Sequence, residues 1–210
     1  MMFKVVVIDG QPLVRAAIKV VLHQNDFAWV AEADNGADGL ELVHEHSPDL
    51  VILDIYLSRV GGLEVMEKIY SFDKSIEILV LTSCSARHYY NRCRAARASA
   101  FLPKTCTLEE LERTVNVLMM GGACVPDSVD RLPPAGSSFA NEALLINSLS
   151  NRELMTFELL VRGMSNKEIA SYLQLSNKTI STYKARLLEK LNVFSLVHLF
   201  EVAKRNGLVG

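Results

Sequence analysis

Two short runs of apolar residues limit the folds open to this chain, because both are continuous and both end at an aspartate. Residues 3–8 (FKVVVI) precede Asp9, and residues 50–53 (LVIL) precede Asp54. Continuous rather than alternating apolar runs are typical of strands buried on both faces of a parallel sheet. Because parallel strands need long crossover connections, usually helices, the first half of the chain is predicted to adopt a doubly wound α/β fold.

The rest of the first half supplies the other strands and helices of such a fold. Residues 29–33, 76–81 and 100–102 are the further strand candidates. Apolar residues recur at helical spacing in five stretches, which are residues 14–24, 36–46, 62–70, 86–96 and 108–120. Alternation of five strands with five helices predicts a five-stranded parallel sheet with helices on both faces, over residues 1–120.

The second half of the chain has a different character. Residues 121–147 contain glycines, prolines and serines that interrupt any period, so they are predicted to be a linker, with room for a short helix at residues 142–146. From residue 148 to residue 210 every candidate element is helical. We therefore predict a second, all-α domain over residues 148–210.

Charge is distributed unequally between the two halves. The chain has 210 residues and a net charge of −2, but from residue 148 onward nine Lys or Arg face five Glu, a balance of +4. The preceding residues hold 13 basic and 19 acidic side chains, a balance of −6. An acidic module joined to a module that binds a polyanion would show this asymmetry. The sequence also contains no apolar run long enough to span a membrane. We therefore expect a cytoplasmic protein without a membrane partner.

Four chemically active side chains follow the predicted strands one, three, four and five: Asp9, Asp54, Thr82 and Lys104. The carboxyl ends of the strands form the functional crevice of an open parallel sheet. Two carboxylates, a hydroxyl and an amine there fit a phosphoryl-transfer site, in which an Asp attacks phosphorus, a divalent ion and a Lys balance the charge, and the hydroxyl binds a phosphate oxygen. The structural alternative is a simple ion pair between Asp54 and Lys104 at the sheet edge.

Two capping-box patterns begin helices in the second half. Ser150 with Glu153 begins a helix that runs to about residue 162, and Ser165 with Glu168 begins a second, shorter helix. A tight turn at residues 175–176 leads into a longer, basic helix over residues 177–191. A short helix joined so closely to a longer one predicts a helix-turn-helix, in an all-α domain of four helices.

The longer helix has two chemically different sides. Ile180, Leu187 and Leu191 share one side and are expected to pack inward. The other side carries small polar residues that fit the major groove of DNA, flanked by cations that can reach phosphates. The predicted DNA-contacting residues are Lys178, Thr179, Ser181, Thr182, Lys184, Ala185 and Arg186. Of these, Lys184 lies nearer the inner side and is expected to extend to the DNA backbone rather than to a base.

Each half of the chain resembles a different domain of the same protein family. The first half is similar to response-regulator receiver domains in residues 5–9 (VVVID), 49–54 (DLVILD), 62–65 (GLEV), 80–83 (VLTS) and 101–104 (FLPK). The second half is similar to LuxR-type helix-turn-helix domains in residues 149–153 (LSNRE), 163–170 (GMSNKEIA) and 175–181 (LSNKTIS). The whole chain thus resembles the NarL/FixJ two-component response regulators, and residues 181–191 (STYKARLLEKL) resemble the branch that includes BvgA and EvgA.

The resemblance implies roles for individual receiver residues. Asp54 looks like the phospho-acceptor, Thr82 the switch hydroxyl, Lys104 the phosphate-pairing amine, and Phe101 the aromatic residue whose rotamer reports the state of the domain. The resemblance also implies a function in transcription rather than in catalysis, with double-stranded DNA and a sensor histidine kinase as partners. Two DNA-bound subunits are expected to pair as a homodimer through the helix at residues 195–205, with Val197 and either Phe200 or Glu201 on its candidate faces.

Magnesium is the cofactor that the resemblance implies, held by Asp9, Asp54 and the backbone carbonyl of Tyr56. Receivers of this kind usually have two adjacent acids after the first strand, but the second position here is Gly10. Loss of a direct carboxylate ligand predicts weak Mg²⁺ binding and slow phosphorylation. The alternative is a regulator that binds DNA independently of phosphorylation. An enzyme on the same fold is disfavoured, because no Gly-rich phosphate loop follows the first strand and no second Asp follows Asp54 closely.

Overall fold

Five parallel strands form one sheet in the first half of the chain. They are β1 (Phe3–Ile8), β2 (Phe27–Ala33), β3 (Leu50–Leu53), β4 (Glu77–Thr82) and β5 (Ala100–Pro103), in the spatial order β2-β1-β3-β4-β5. The computed structural model describes residues 3–23, 27–84, 86–122 and 138–209. Residues 123–137 of the predicted linker lie outside these ranges.

The inner strands explain why two apolar runs in the sequence are continuous. Val5 to Ile8 in β1 and all four residues of β3 are buried, because each strand has neighbours on both edges and helices on both faces. The register sets Ile8 beside Ala33 and Leu53, so these three strands end level with one another. As a result, the residues that directly follow β1 and β3 are brought side by side.

Five helices cover the sheet: α1 (Pro12–His23), α2 (Gly36–His46), α3 (Gly62–Phe72), α4 (Ala86–Ala95) and α5 (Leu108–Met119). They confirm the predicted doubly wound α/β domain; half of the helix boundaries coincide with the prediction and the others are displaced by one or two residues. Helix α1 begins two residues earlier than the apolar period indicates, because proline is well suited to the first helical turn, where its missing N–H leaves no hydrogen bond unmade. The Gln11 carbonyl accepts hydrogen bonds from the N–H groups of Val14 and Arg15 and starts this turn.

The second half forms a separate compact unit of helices. These are α6 (Ser138–Asn147), α7 (Asn151–Val161), α8 (Asn166–Leu173), α9 (Asn177–Lys190) and α10 (Leu196–Arg205). Both predicted capping boxes are present at the starts of α7 and α8. Gly163, with φ +89°, follows α7 in the left-handed conformation that favours glycine. Helix α6 is longer than the short helix expected at residues 142–146. Every helix in the described ranges is too short or too polar to span a bilayer.

Gly62, the first residue of α3, lies directly against the chain that carries Asp54. A Cβ atom at position 62 would overlap the Asp54 carbonyl oxygen, whereas one at Gly10 would be 3.5 Å from its nearest neighbour, the Asp34 carbonyl oxygen. We expect Gly62→Ala to lower the free energy of unfolding by about 1–3 kcal/mol or more, because backbone must move. The control Gly10→Ala should change it by less than about 1 kcal/mol.

Trp29 provides the measurement for this pair of variants. It is the single tryptophan of the chain, and it packs against the core under the sheet, so its fluorescence reports unfolding of this unit during denaturant titration. Equal destabilisation by the two substitutions would contradict the close approach of α3 to the Asp54 backbone.

Candidate functional site

Three charged side chains meet at the carboxyl end of the sheet. The Nζ atom of Lys104 lies 2.7 Å from Oδ2 of Asp54 and 2.8 Å from Oδ2 of Asp9. The exposed fractions of the three side chains are 8% for Lys104, 4% for Asp54 and 2% for Asp9. Two carboxylates thus share one ammonium group in a place almost closed to water, with one negative charge in excess.

Backbone hydrogen bonds hold these side chains in place. The N–H of Asp54 donates to the Ile8 carbonyl at 2.9 Å, and the N–H of Lys104 donates to the Thr82 carbonyl at 2.9 Å, so strand pairing continues into the site. The Asp9 carboxylate also accepts from the N–H of Gln11 at 2.8 Å. The site residues are therefore positioned by the register of the sheet.

Burial and charge act against each other on the pKa values of this cluster. Burial raises the pKa of Asp9 above its usual value, and the Asp54 carboxylate raises it further, while the hydrogen bonds from Lys104 and Gln11 oppose the change. Burial alone would lower the pKa of Lys104, but the carboxylates of Asp54 and Asp9 outweigh this and raise it. Lys104 therefore remains an ammonium ion at neutral pH.

Thr82 and Phe101 lie on the neighbouring strands β4 and β5. Thr82 is fully buried, and its Oγ1 atom accepts a hydrogen bond from the N–H of Cys84 at 3.2 Å. The ring of Phe101 is buried and packs edge-on against Tyr90, with 6.2 Å between the ring centroids. In this structure the predicted switch aromatic therefore lies inside the receiver unit.

The residues present fit a divalent cation only in part. The Asp9 and Asp54 carboxylates supply the oxygen ligands that Mg²⁺ prefers, and the Tyr56 N–H donates to Oδ1 of Asp54 at 3.3 Å. Gly10 contributes no ligand, although a Cβ atom there meets no close neighbour. In the described part of the chain, no group of three or more Asp, Glu, His or Cys side chains could hold a metal ion.

Two arginines near the site escaped the sequence analysis. The Nη1 atom of Arg15 donates to the Asp9 carbonyl at 2.7 Å, and its Nε atom lies 3.2 Å from the Glu32 carboxylate. Arg59, in the loop after Asp54, has φ +59° and pairs with Asp38 of α2 at 2.7 Å. Neither arginine belongs to a recognisable motif, because their partners lie on other elements of the fold.

Helix α9 shows the two sides that its periodicity predicts. Ile180 and Leu187 are fully buried and Leu191, just after the helix, is 5% exposed. Five of the predicted DNA-contacting residues are exposed and two are half-buried: Lys178, Ser181, Thr182, Ala185 and Arg186 in the first group, Thr179 and Lys184 in the second. The outer side of α9 is thus a small, polar and basic surface.

Side chains of α7 and α8 fix the position of α9. Nζ of Lys190 lies 2.7 Å from the Glu153 carboxylate, which also closes the capping box at the start of α7. Near the other end, Nδ2 of Asn166 donates to Oγ of Ser181 at 3.3 Å. The capping role of Glu153 is predicted by the sequence pattern, but these two contacts between helices are not.

Two family models match the chain in succession. The model for the response regulator receiver domain matches residues 5–116, and the model for bacterial regulatory proteins of the luxR family matches residues 147–203. The matched regions correspond to the sheet-containing unit and to the helical unit that contains α9.

Similar proteins include named transcription regulators. The chain is 41% identical over 205 residues to the virulence factors putative positive transcription regulator BvgA of Bordetella pertussis, with 98% of each chain covered. It is 32% identical over 204 residues to the DNA-binding transcriptional activator EvgA of Escherichia coli, covering 97% of this chain and 98% of that protein.

Solved structures agree in fold. RcsB from Salmonella enterica serovar Typhimurium, bound to promoter DNA, aligns with a TM-score of 0.63 at 20% identity, covering 96% of this chain and 98% of that one. A LuxR-family two-component response regulator from Aurantimonas aligns over 60% of this chain and 92% of its own, with a TM-score of 0.56 at 26% identity. The two matched domains and the full-length relatives show that this chain belongs to the NarL/FixJ family of response regulators, DNA-binding transcription regulators in which control by phosphorylation is typical.

Proposed function

We propose that Asp54 is the phospho-acceptor of this regulator and that a sensor histidine kinase phosphorylates it to control binding to double-stranded DNA. The observation that supports this assignment is the ammonium of Lys104, held within 2.8 Å of both Asp54 and Asp9. A simple ion pair would need only one carboxylate. Here two carboxylates hold one ammonium, and this arrangement positions the ammonium to pair with phosphoryl oxygens on Asp54. Because the target is DNA of the cell, we propose a cytoplasmic location.

In the proposed reaction a carboxylate oxygen of Asp54 forms a bond to phosphorus. The bond from phosphorus to the kinase histidine nitrogen breaks, and its electron pair remains on the imidazole. Lys104 already lies within hydrogen-bond reach of Asp54 and would pair with a phosphoryl oxygen. Thr82 Oγ1 accepts from the Cys84 N–H and can still donate its own proton, and we propose that it donates to a phosphoryl oxygen.

Magnesium would be held by the carboxylates of Asp9 and Asp54 and by the backbone carbonyl of Tyr56, and when bound it would neutralise charge on the phosphoryl oxygens. Two features of the chain reduce its affinity. Gly10 supplies no carboxylate, and the Lys104 ammonium repels a second cation at the same two carboxylates. We therefore propose weak binding of Mg²⁺. The same two features favour the competing proposal, a regulator that binds DNA without phosphorylation.

Acetyl phosphate with Mg²⁺ tests the assignment of Asp54. We expect the wild-type chain to gain a phosphoryl group and Asp54→Asn to gain none, because the neutral amide of Asn has no carboxylate oxygen to attack phosphorus. Intact-mass measurement gives the stoichiometry. Asp38→Asn, which alters an exposed acid on α2, is the matched control and should react as the wild type does. No incorporation in the wild type would contradict phosphorylation control and favour the competing proposal.

Gly10→Asp tests the cause of weak metal binding. We expect roughly tenfold or greater tightening of Mg²⁺ binding, because a third carboxylate joins Asp9 and Asp54 and position 10 has room for a side chain. Calorimetric titration with MgCl₂ measures the change. Gly10→Ala adds volume without a ligand and should leave the affinity as it is. An unchanged affinity in Gly10→Asp would show that the missing acid does not limit metal binding.

Helix α9 is proposed as the recognition helix and α10 as the helix that pairs two subunits on DNA. The outer side of α9 combines exposed cations with short polar side chains, as a helix in the major groove requires. On α10, Val197 is 71% exposed and Phe200 is 46% exposed. Exposed apolar side chains grouped on one helix face mark an interface, and we assign this one to the homodimer.

Substitutions on α9 should separate affinity from specificity. Lys178→Ala is expected to weaken binding to all duplexes about equally and to reduce the slope of log affinity against log salt by roughly one, through loss of one phosphate contact. Thr182→Ala should instead change the sequence preference, measured by selection from a random duplex pool. Lys68→Ala, on the receiver helix α3, is the control for loss of a surface cation. If both α9 variants bind as the wild type does, α9 is not the recognition helix.

A further inference from the structure

One side chain of α6 holds the C-terminal end of α10. Glu142 accepts hydrogen bonds from Nη2 of Arg205 at 2.8 Å and from Nδ2 of Asn206 at 2.9 Å. Asn206 is 3% exposed and also donates to the Val202 carbonyl at 2.9 Å. Because Asn206 is buried, water cannot replace these hydrogen bonds, and their loss would be costly.

The contact is ionic as well as hydrogen-bonded. Burial would raise the pKa of Glu142, but the hydrogen bonds from Arg205 and Asn206, with the charges of Arg205 and His198, lower it below its usual value. Arg205 lies in the last turn of α10, where a cation also interacts favourably with the helix dipole. Glu142 therefore remains an anion at neutral pH and compensates the charge at this helix end.

Helix α10 has three distinct sides. Leu199, Val202 and Ala203 are buried in the core of the helical unit. At about 100° per residue, Leu196, Phe200 and Val197 lie roughly 180°, 140° and 80° around the helix from Arg205. The apolar strip, which we define as Leu196, Val197 and Phe200, therefore lies on a different side from the Glu142 contact and stays exposed. Glu142 holds α10 without covering the strip.

Position along the chain gives α6 a particular role. It is the first described element after residues 123–137, which connect it to the receiver unit. Ala143 and Ile146 bury its inner side, and Glu142 supplies the polar connection to α10. A conformational change that travels along the chain from the receiver would reach α6 before any other described element of the DNA-binding unit.

We propose that Glu142 is a positioning residue that couples α6 to the pairing of two DNA-bound subunits. With Glu142 in contact, α10 is held on two sides, and its apolar strip has one orientation. Without this contact Asn206 and Arg205 each lose the hydrogen bond that they make to Glu142, so the end of α10 is less firmly attached to α6. The proposal rests on the proposed function, because it requires α10 to be the pairing helix.

The test compares paired with single half-sites, using the full chain. A duplex selected by the wild type from a random pool is used intact and with one half-site scrambled. Glu142→Ala is expected to reduce the preference for the intact duplex by roughly fivefold or more, with unchanged affinity for the single half-site. Glu142→Gln keeps an acceptor for Asn206 and should retain part of the preference. Asn141→Ala, a neighbouring exposed position on α6, is the matched control and should behave as the wild type.

Arg205→Ala provides an independent check of the same contact. It should cause part of the loss seen with Glu142→Ala, because Asn206 still donates to Glu142, and the double variant should show no more loss than Glu142→Ala alone. Additive losses would overturn the proposed coupling through Arg205. An equal loss on intact and scrambled duplexes would show that Glu142 only stabilises the fold, and would overturn the proposal.

Val197→Glu separates failure of this proposal from failure of the proposed function. It places a charge in the apolar strip and should abolish the preference for the intact duplex. If the preference survives, α10 is not the pairing helix, and both the pairing assignment and the proposed role of Glu142 are overturned. If Val197→Glu abolishes the preference and Glu142→Ala leaves it intact, only the role of Glu142 is overturned.

Discussion

The ammonium of Lys104 between two buried carboxylates is the interaction on which the receiver site depends. Charges buried to this degree are tolerated only with partners, and removal of one member of such a cluster typically costs about 3–5 kcal/mol because it leaves a charge uncompensated. The partners come from β1, β3 and β5, so the cluster exists only when these strands are in register. The same electrostatic requirement therefore joins the stability of the sheet to the geometry of the proposed acceptor.

A phosphoryl group on Asp54 would change the balance of charge among Asp9, Asp54 and Lys104. The acyl phosphate would carry about two negative charges in place of the single charge of the Asp54 carboxylate, so the cluster, which formally has one negative charge in excess, would gain about one more. The ammonium of Lys104 can move a short distance from a carboxylate oxygen to a phosphoryl oxygen, but Asp9 then loses part of its positive counter-charge. If Gly10 weakens the binding of a divalent cation as proposed, Lys104 and the hydroxyl of Thr82 would have to compensate more of this charge.

Local sequence signals predicted the elements well and the contacts between them poorly. β1 and β3 match their apolar runs to the residue, and the Ser150 and Ser165 capping boxes place the starts of α7 and α8, because burial on both faces and capping leave patterns within a few residues. Convergence of Asp9, Asp54 and Lys104 followed from the rule for strand ends. By contrast, Lys190 meets Glu153 across 37 residues and Arg205 meets Glu142 across 63, and such pairs depend on helix packing that no local pattern records.

The outer side of α9 contains two kinds of side chain that differ in their readiness to bind DNA. The Thr182 hydroxyl donates to the Lys178 carbonyl at 3.0 Å, and the Ser181 hydroxyl donates to the Asn177 carbonyl at 2.9 Å. If α9 is the recognition helix as proposed, each hydroxyl would have to exchange a bond within its own helix before it could donate to a base. The exposed ammonium of Lys178 would reach a phosphate without such an exchange, since Lys carries its charge on a flexible stem. Contact with the DNA backbone thus needs less rearrangement than base recognition, so binding to any duplex should precede sequence-specific binding.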